Sequence, residues 1–390
     1  MPESSHPPTT LRLVRQCCYV GMFIQAMVVN LTPLFFIPLR EQFGLSFEQL
    51  GRLVLLNFAT QMLVDLLCTG LIDRFGRAVK PLTVAAQFLA AAGLWLFAGA
   101  PALFPADPYR GLVLGTIIFS LGCGLLEVLL SPIINALPSL RKEADMALLN
   151  LAGFVAVKLP PFVHEAERER TRAMARTGVF WLGMFGILLA GATEVTLAQW
   201  TSAFAQTALG LSQVVADCFG FGLFGAMMVV GRLWFGFHGH NRNLPRMLTA
   251  GATLSAACYG TVALSPSPGV ALVACIAAGL FVSLLWPGIV SVCAATFPRA
   301  GVSLFALLAA FGDAGAGLVP WLVGATADRV ANLDRAGYSA FRHFPVGLTP
   351  EQLGLRAGLL LAMLCPAVLA VLLRVLHCRI RAKSTKLEPT

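Results

Sequence analysis

The chain has 390 residues, of which 57% are apolar and only 12% charged, and its formal net charge is +9. A soluble domain carries about 25% charged residues, so soluble enzymes, disulfide scaffolds and disordered chains are excluded and an all-α polytopic membrane protein is expected. At about 20 apolar residues per crossing and roughly 30 with its loop, the length admits about 11 to 13 spans. The surplus of base does not indicate nucleic acid: no basic run is interleaved with stacking aromatics, and membrane proteins gather Lys and Arg in cytoplasmic loops.

Apolar runs bounded by polar or Pro/Gly clusters predict spans at 13–38, 49–72, 80–103, 110–138, 177–205, 213–236, 247–265, 268–297, 301–326 and 353–376. An eleventh segment, 144–163, is poor, since it carries Asp145, Asn150 and Lys158 and ends in Pro160 and Pro161. The expectation is therefore ten spans plus one doubtful segment. The first apolar run is too long for the h-region of a cleavable signal peptide, so none is expected. The ten cysteines are scattered through apolar runs without CxxC spacing. His238 and His240, the one close histidine pair, have no Cys or acidic neighbour. No metal and no cofactor are expected.

The bases set the orientation. Arg12 and Arg15 precede the first span, Arg74, Arg77 and Lys80 follow the second, and Arg141 and Lys142 follow the fourth. Arg168, Arg170, Arg172 and Arg176 precede the segment at 177, and Arg374, Arg379, Arg381, Lys383 and Lys386 close the chain. With Lys158, Arg232, Arg242, Arg246 and Arg299, 21 of the 28 Lys and Arg share one side. Arg40, Arg52, Arg110, Arg329, Arg335, Arg342 and Arg356 fall on the other. Both termini are expected in the cytoplasm, with the chain in the plasma or inner membrane.

Residues 141–142 and 168–176 both belong inside, yet a single apolar segment separates them, so 144–163 is expected not to cross cleanly. Lengths agree: residues 177–380 suffice for six spans, whereas 12–165 is about 50 residues shorter. The expected organisation is a shortened N-terminal bundle at 1–163, a cytoplasmic linker at 164–176 and a six-helix bundle at 177–390.

Asp73-Arg74-Phe75-Gly76-Arg77 follows the second span, and Gly231-Arg232-Leu233 with Arg242 and Arg246 forms a weaker second copy. The first stretch closely resembles the loop signature between the second and third spans of the major facilitator superfamily. There Gly76 permits a tight turn and Asp73 can face a helix N-terminus or a base. Gly124-Leu125-Leu126-Glu127 with Ser131-Pro132 looks like the fourth span of the fucose-permease-like sugar:proton symporters. Gly191-Ala192-Thr193-Glu194 with Gln199-Trp200, then Trp286-Pro287-Gly288 and Gly312-Asp313, is similar to bacterial members of that group. The resemblance covers most of the chain outside about 140–176. It implies a two-bundle secondary transporter rather than an enzyme, a monomer in the lipid bilayer, with a small polar solute and protons as its partners. It also implies gating roles for Asp73, Arg74, Gly76, Arg77 and Arg232, with Asp73 closing on the eleventh family helix near Gly301 to Ser303.

Five acids fall inside spans, Asp65, Glu127, Glu194, Asp217 and Asp313, where a charge at the helix centre costs about 2.5–3.5 kcal/mol. A carboxyl that passes between protonated and ionised forms as its exposure changes is what proton coupling needs. The resemblance places a proton-binding acid at Glu127, and Glu194, on a small-residue stretch, is a second candidate. Asp313 can belong to a site or pack helices, Asp217 is expected to be solvated near an outer end, and Asp65 can pack a span or serve a gate. The first span carries Gln25 and Asn30 where the resembling transporters add an acid; these amides can bond a solute or another helix. Gln199, Trp200 and Trp286 join the candidate solute-binding residues, with Trp321 a further stacking candidate. A membrane protein that does not transport, or an exporter of amphipathic compounds, remains an alternative.

Overall fold

The computed structural model describes residues 8–71, 79–136, 174–238, 243–297, 301–333, 344 and 347–385. The doubtful segment 144–163, most of the linker, and Asp73, Arg74, Gly76 and Arg77 lie outside the described residues. Among the described residues there are helices and turns but no strand. Ten helical stretches among the described residues are long and apolar enough to cross a membrane: Val20–Phe43, Phe47–Cys68, Pro81–Ala98, Pro108–Leu130, Gly178–Thr207, Gln213–Phe237, Leu244–Leu264, Pro268–Thr296, Leu304–Ala331 and Pro350–Arg379. They coincide with the ten runs read from the sequence. The protein is an all-α integral membrane protein.

The first stretch is not one straight helix. α1 (Pro8–Leu31) tightens into a 3-10 turn at Thr32–Phe35 and resumes as α2 (Phe36–Phe43), which ends at Gly44 with φ of 64°. Pro33 lies in the tightened turn, where its missing N–H removes an α-helical bond. α3 (Phe47–Leu71) and α4 (Val79–Ala98) follow, then a single turn at Ala100–Leu103 and α5 (Pro108–Ala136).

The later part comprises α6 (Gly178–Thr207), α7 (Leu223–His238), α8 (Leu244–Leu264), α9 (Pro268–Val282), α10 (Leu285–Thr296), α11 (Gly301–Ala331), α12 (Pro350–Ala362) and α13 (Leu364–Thr385). A π-helical stretch, Ala216–Gly222, leads into α7. Three of these helices start on side-chain caps. Thr177 accepts from the Phe180 N–H, Asn243 from that of Arg246, and Thr349 with Gln352 forms a reciprocal capping box. Each cap satisfies donors that a helix start otherwise leaves open.

By packing, the chain forms two compact units: Met1–Leu31 with Thr60–Glu169, and Thr32–Ala59 with Arg170–Thr390. α3 contributes to both, its first thirteen residues to the second unit and the remainder to the first. In the first unit α4 runs along α5 and α1 packs on α5. Lipid is as apolar as Leu, so such helices associate through close backbone approach. Gly115 supplies it here, since a Cβ would lie 2.7 Å from the Phe97 nitrogen. The Phe97 and Phe119 rings then meet edge to face at 6.1 Å. In the second unit α6 runs along α11, α11 along α12, and α8 packs on both α9 and α13.

Candidate functional site

Four polar side chains from three helices of the first unit converge. Gln25 of α1 donates through Nε2 to Glu127 Oε2 of α5 at 3.3 Å and to Gln61 Oε1 of α3 at 3.4 Å. Gln61 and Asp65 stand four residues apart on α3, hence on one face, and are 1% and 2% exposed. The carboxyls of Asp65 and Glu127 lie close enough to interact electrostatically. Gly124, three residues before Glu127, sets this spacing: a Cβ there would fall 3.1 Å from the Gln61 Cα. The partner that reaches Glu127 from α1 is thus an amide, which can bond either protonation state of a carboxyl.

Gln25 and Glu127, both sequence candidates, are brought together, and Gln61 and Asp65 join them. Asn30 is not part of this cluster; its Nδ2 turns back to the Ala26 carbonyl at 2.9 Å, an internal bond of α1.

A second constellation lies in the second unit. Arg232 of α7 reaches Glu194 Oε1 of α6 through Nη2 at 2.9 Å, and its Nε donates to the Ser283 carbonyl at 3.1 Å. Among the described residues, Glu194 Oε2 is buried and has no hydrogen-bond partner. Arg232, expected as a gating residue, here serves as the cation of Glu194. Trp286 of α10 is half-buried and lies against Gly191 of α6 and Gly312 of α11, where an added Cβ on Gly191 would come within 2.8 Å of the indole. Asp313, beside Gly312, is buried at 4% exposure.

The pair invites a direct test. Arg232→Gln strands a buried carboxylate and is expected to destabilise the protein by about 2–3 kcal/mol. Glu194→Gln in the same chain should recover most of that loss, giving a coupling of about 1–2 kcal/mol in a double-mutant cycle of thermal unfolding in detergent. Additive losses would show the pair to be energetically idle.

Trp200 is placed differently from the expected stacking platform. It is 0% exposed, its Nε1 donates to the Pro320 carbonyl at 2.9 Å, and the Phe36 and Phe47 rings meet it edge-on at 5.2 and 5.9 Å. No face of the indole is open to a solute, and its neighbour Gln199 is also buried at 2%. Trp321 is half-buried, and its backbone lies against Gly51, where an added Cβ would fall 2.9 Å from the Trp321 Cα. Asp217, expected to be solvated, lies on the π-helical stretch and accepts a hydrogen bond from the Ser202 hydroxyl, which in turn accepts from Gln206 Nε2 at 3.0 Å.

No protein-family model matches the chain, and no curated protein matches it by sequence. Solved structures do. A bacterial homologue of the human lysosomal transporter Spinster, inward-facing and occupied, superposes with a TM-score of 0.68 at 14% identity over 96% of this chain and 98% of that one. The major facilitator superfamily transporter FucP, outward-facing, gives 0.62 at 14% identity over 95% and 99%. A D-xylose–proton symporter gives 0.58 at 15% identity over 90% and 93%. The chain has the major facilitator superfamily fold.

Proposed function

We propose that this chain is a secondary active transporter that moves a small polar solute, sugar-like in character, together with protons by alternating access. The observation that carries the reading is the set of Gln25, Gln61, Asp65 and Glu127, two acids and two amides drawn together inside apolar helices, with Gln61 and Asp65 buried and Gln25 and Glu127 half-buried. Burial of that much polarity is costly in a membrane and marks ion or substrate pathways. Glu127 takes up and releases the proton, and Gln25 holds its carboxyl in either state. Two of the similar folds are those of a fucose:proton symporter and a D-xylose–proton symporter, which supports the sugar-like class.

In this reading the two bundles are 1–163 and 177–390, joined by the linker 164–176, with both termini in the cytoplasm. Gln25, Trp286 and Asp313 contact the solute, and Glu194 is a second protonatable group whose charge is met by Arg232 until a proton or solute displaces it. Asp73, Arg74, Gly76 and Arg77 form the inner gate that the loop signature implies. The test is uptake of a panel of labelled hexoses and pentoses into liposomes holding the purified chain, with and without an imposed pH gradient. At least one sugar should accumulate above its outside concentration when the gradient is present. Saturable ligand binding with no translocation under any gradient would overturn the reading in favour of a non-transporting protein.

A further inference from the structure

The first turn of α3 is capped twice, and the second cap comes from far along the chain. Ser46 and Gln49 form a local box: the Gln49 N–H donates to Ser46 Oγ at 3.2 Å, and the Ser46 N–H donates to Gln49 Oε1 at 2.9 Å. The Leu50 N–H reaches the Ser46 carbonyl at 3.1 Å. That leaves the N–H groups of Phe47 and Glu48. Asp328, in the last turn of α11, accepts both, at 3.1 Å through Oδ1 and 2.6 Å through Oδ2. A carboxylate facing a helix start is favoured by the helix dipole as well as by the bonds.

Beside it, Arg40 of α2 forms a two-pronged pair with Glu351 of α12, at 2.9 and 2.6 Å, and its guanidinium lies 4.2 Å from the centroid of the Phe47 ring. The side chains of this pair remain 27% and 44% exposed, so water reaches them and the pair separates at small cost. Phe36 and Phe47 both pack on Trp200, and Phe36, Leu50 and Leu53 of the same two helices are all at 0% exposure.

We propose that Asp328, together with Arg40 and Glu351, is a releasable latch at the end of α3 that the distribution of bases assigns to the outside. Three features suit release over permanent attachment. The Ser46–Gln49 box keeps the start of α3 intact once Asp328 leaves. The Arg40 and Glu351 side chains are already partly exposed, so their charges pass to water when the pair parts. And α3 belongs to both compact units, with the latch gripping only the part, up to Ala59, that packs with the second. Release uncovers the Phe36, Leu50 and Leu53 layer. The latch rests on the alternating-access reading, but its test requires no solute.

The full-length chain, with its ten cysteines replaced, receives Leu50→Cys and is exposed in sealed vesicles to a membrane-impermeant maleimide. Asp328→Asn and Arg40→Gln should each raise the labelling rate roughly fivefold or more, the size expected from loss of a helix cap. Asp328→Glu should hold the rate near that of the parent. Leu126→Cys, on α5 and 0% exposed, reports general loosening. An unchanged rate at Leu50→Cys, or an equal rise at Leu126→Cys, overturns the latch. Sugar accumulation failing in the parent while the Leu50→Cys pattern holds removes the transport reading and leaves the latch standing.

Discussion

Glu127→Gln is expected to abolish gradient-driven accumulation, the largest functional effect of any single substitution. With one proton carried per solute, a gradient of one pH unit supports about tenfold accumulation. A side chain that cannot ionise removes that coupling entirely. Gln preserves the volume of Glu and still offers an oxygen to Gln25 Nε2, which bonds Glu127 at 3.3 Å. The helix contacts around Gly124 and Gln61 therefore persist. Exchange of labelled for unlabelled solute across the liposome wall should continue, since it requires reorientation of the loaded site without net proton movement. The measurement is accumulation and exchange in the same preparation. If Glu127→Gln accumulates solute as the parent does, Glu127 is not the proton carrier. If exchange is lost as well, the residue holds solute or structure.

Arg356→Met is expected to bring the largest loss of stability. Arg356 is 2% exposed, and its Nη1 donates to the carbonyls of Val262, Ala263 and Ser265 at 3.3, 3.1 and 2.8 Å. These are terminal carbonyls of α8 and of the residue that follows it, groups with no acceptor role left inside the helix. The guanidinium also lies 5.6 Å from the centroid of the Phe204 ring, so one side chain ties α12, α8 and α6 together. Met fills the volume but donates nothing and carries no charge toward the negative end of α8. The cost should be about 3 kcal/mol, several carbonyls losing a charged donor where water has little access. Thermal unfolding in detergent measures it. Arg356→Lys should recover only part, because an ammonium cannot reproduce the planar fork. A Met variant within about 0.5 kcal/mol of the parent, the range of an ordinary surface change, would contradict the capping role.

The spans were legible because the membrane imposes one requirement that a run of residues can satisfy alone. The runs at 49–72 and 268–297 match Phe47–Cys68 and Pro268–Thr296 because apolar length and bounding polar residues are both local properties. Where a helix changes pitch is less local. The run 13–38 gave no sign that it would tighten at Thr32–Phe35 and continue to Phe43, although Pro33 and Pro38 lie within that region.

The candidate site was legible only in part, for the same reason. Glu127 stands out since an acid in an apolar run is costly wherever the helix packs. Its neighbour Asp65 was visible as an acid but not as a partner, because that depends on the register of α3 against α5, which Gly124 sets. The i and i+4 spacing of Gln61 and Asp65 in an otherwise apolar helix was the signal available. Trp200 shows the converse. An indole that stacks on a sugar and one that fills a core have identical local sequence, and only the arrival of Phe36, Phe47 and Pro320 distinguishes them. Arg232 lies 38 residues from Glu194, so their pairing follows from α6 and α7 packing and not from spacing.

The interruption between α9 and α10 has a mechanical corollary. At Ser283 the backbone ladder breaks, and the carbonyl freed there is held by the same guanidinium that holds Glu194. An elbow in one rod and a charge on another are thus fastened by a single rivet. Were Glu194 drawn away, that rivet would keep only its bond to the Ser283 carbonyl, and the elbow would be freer to bend.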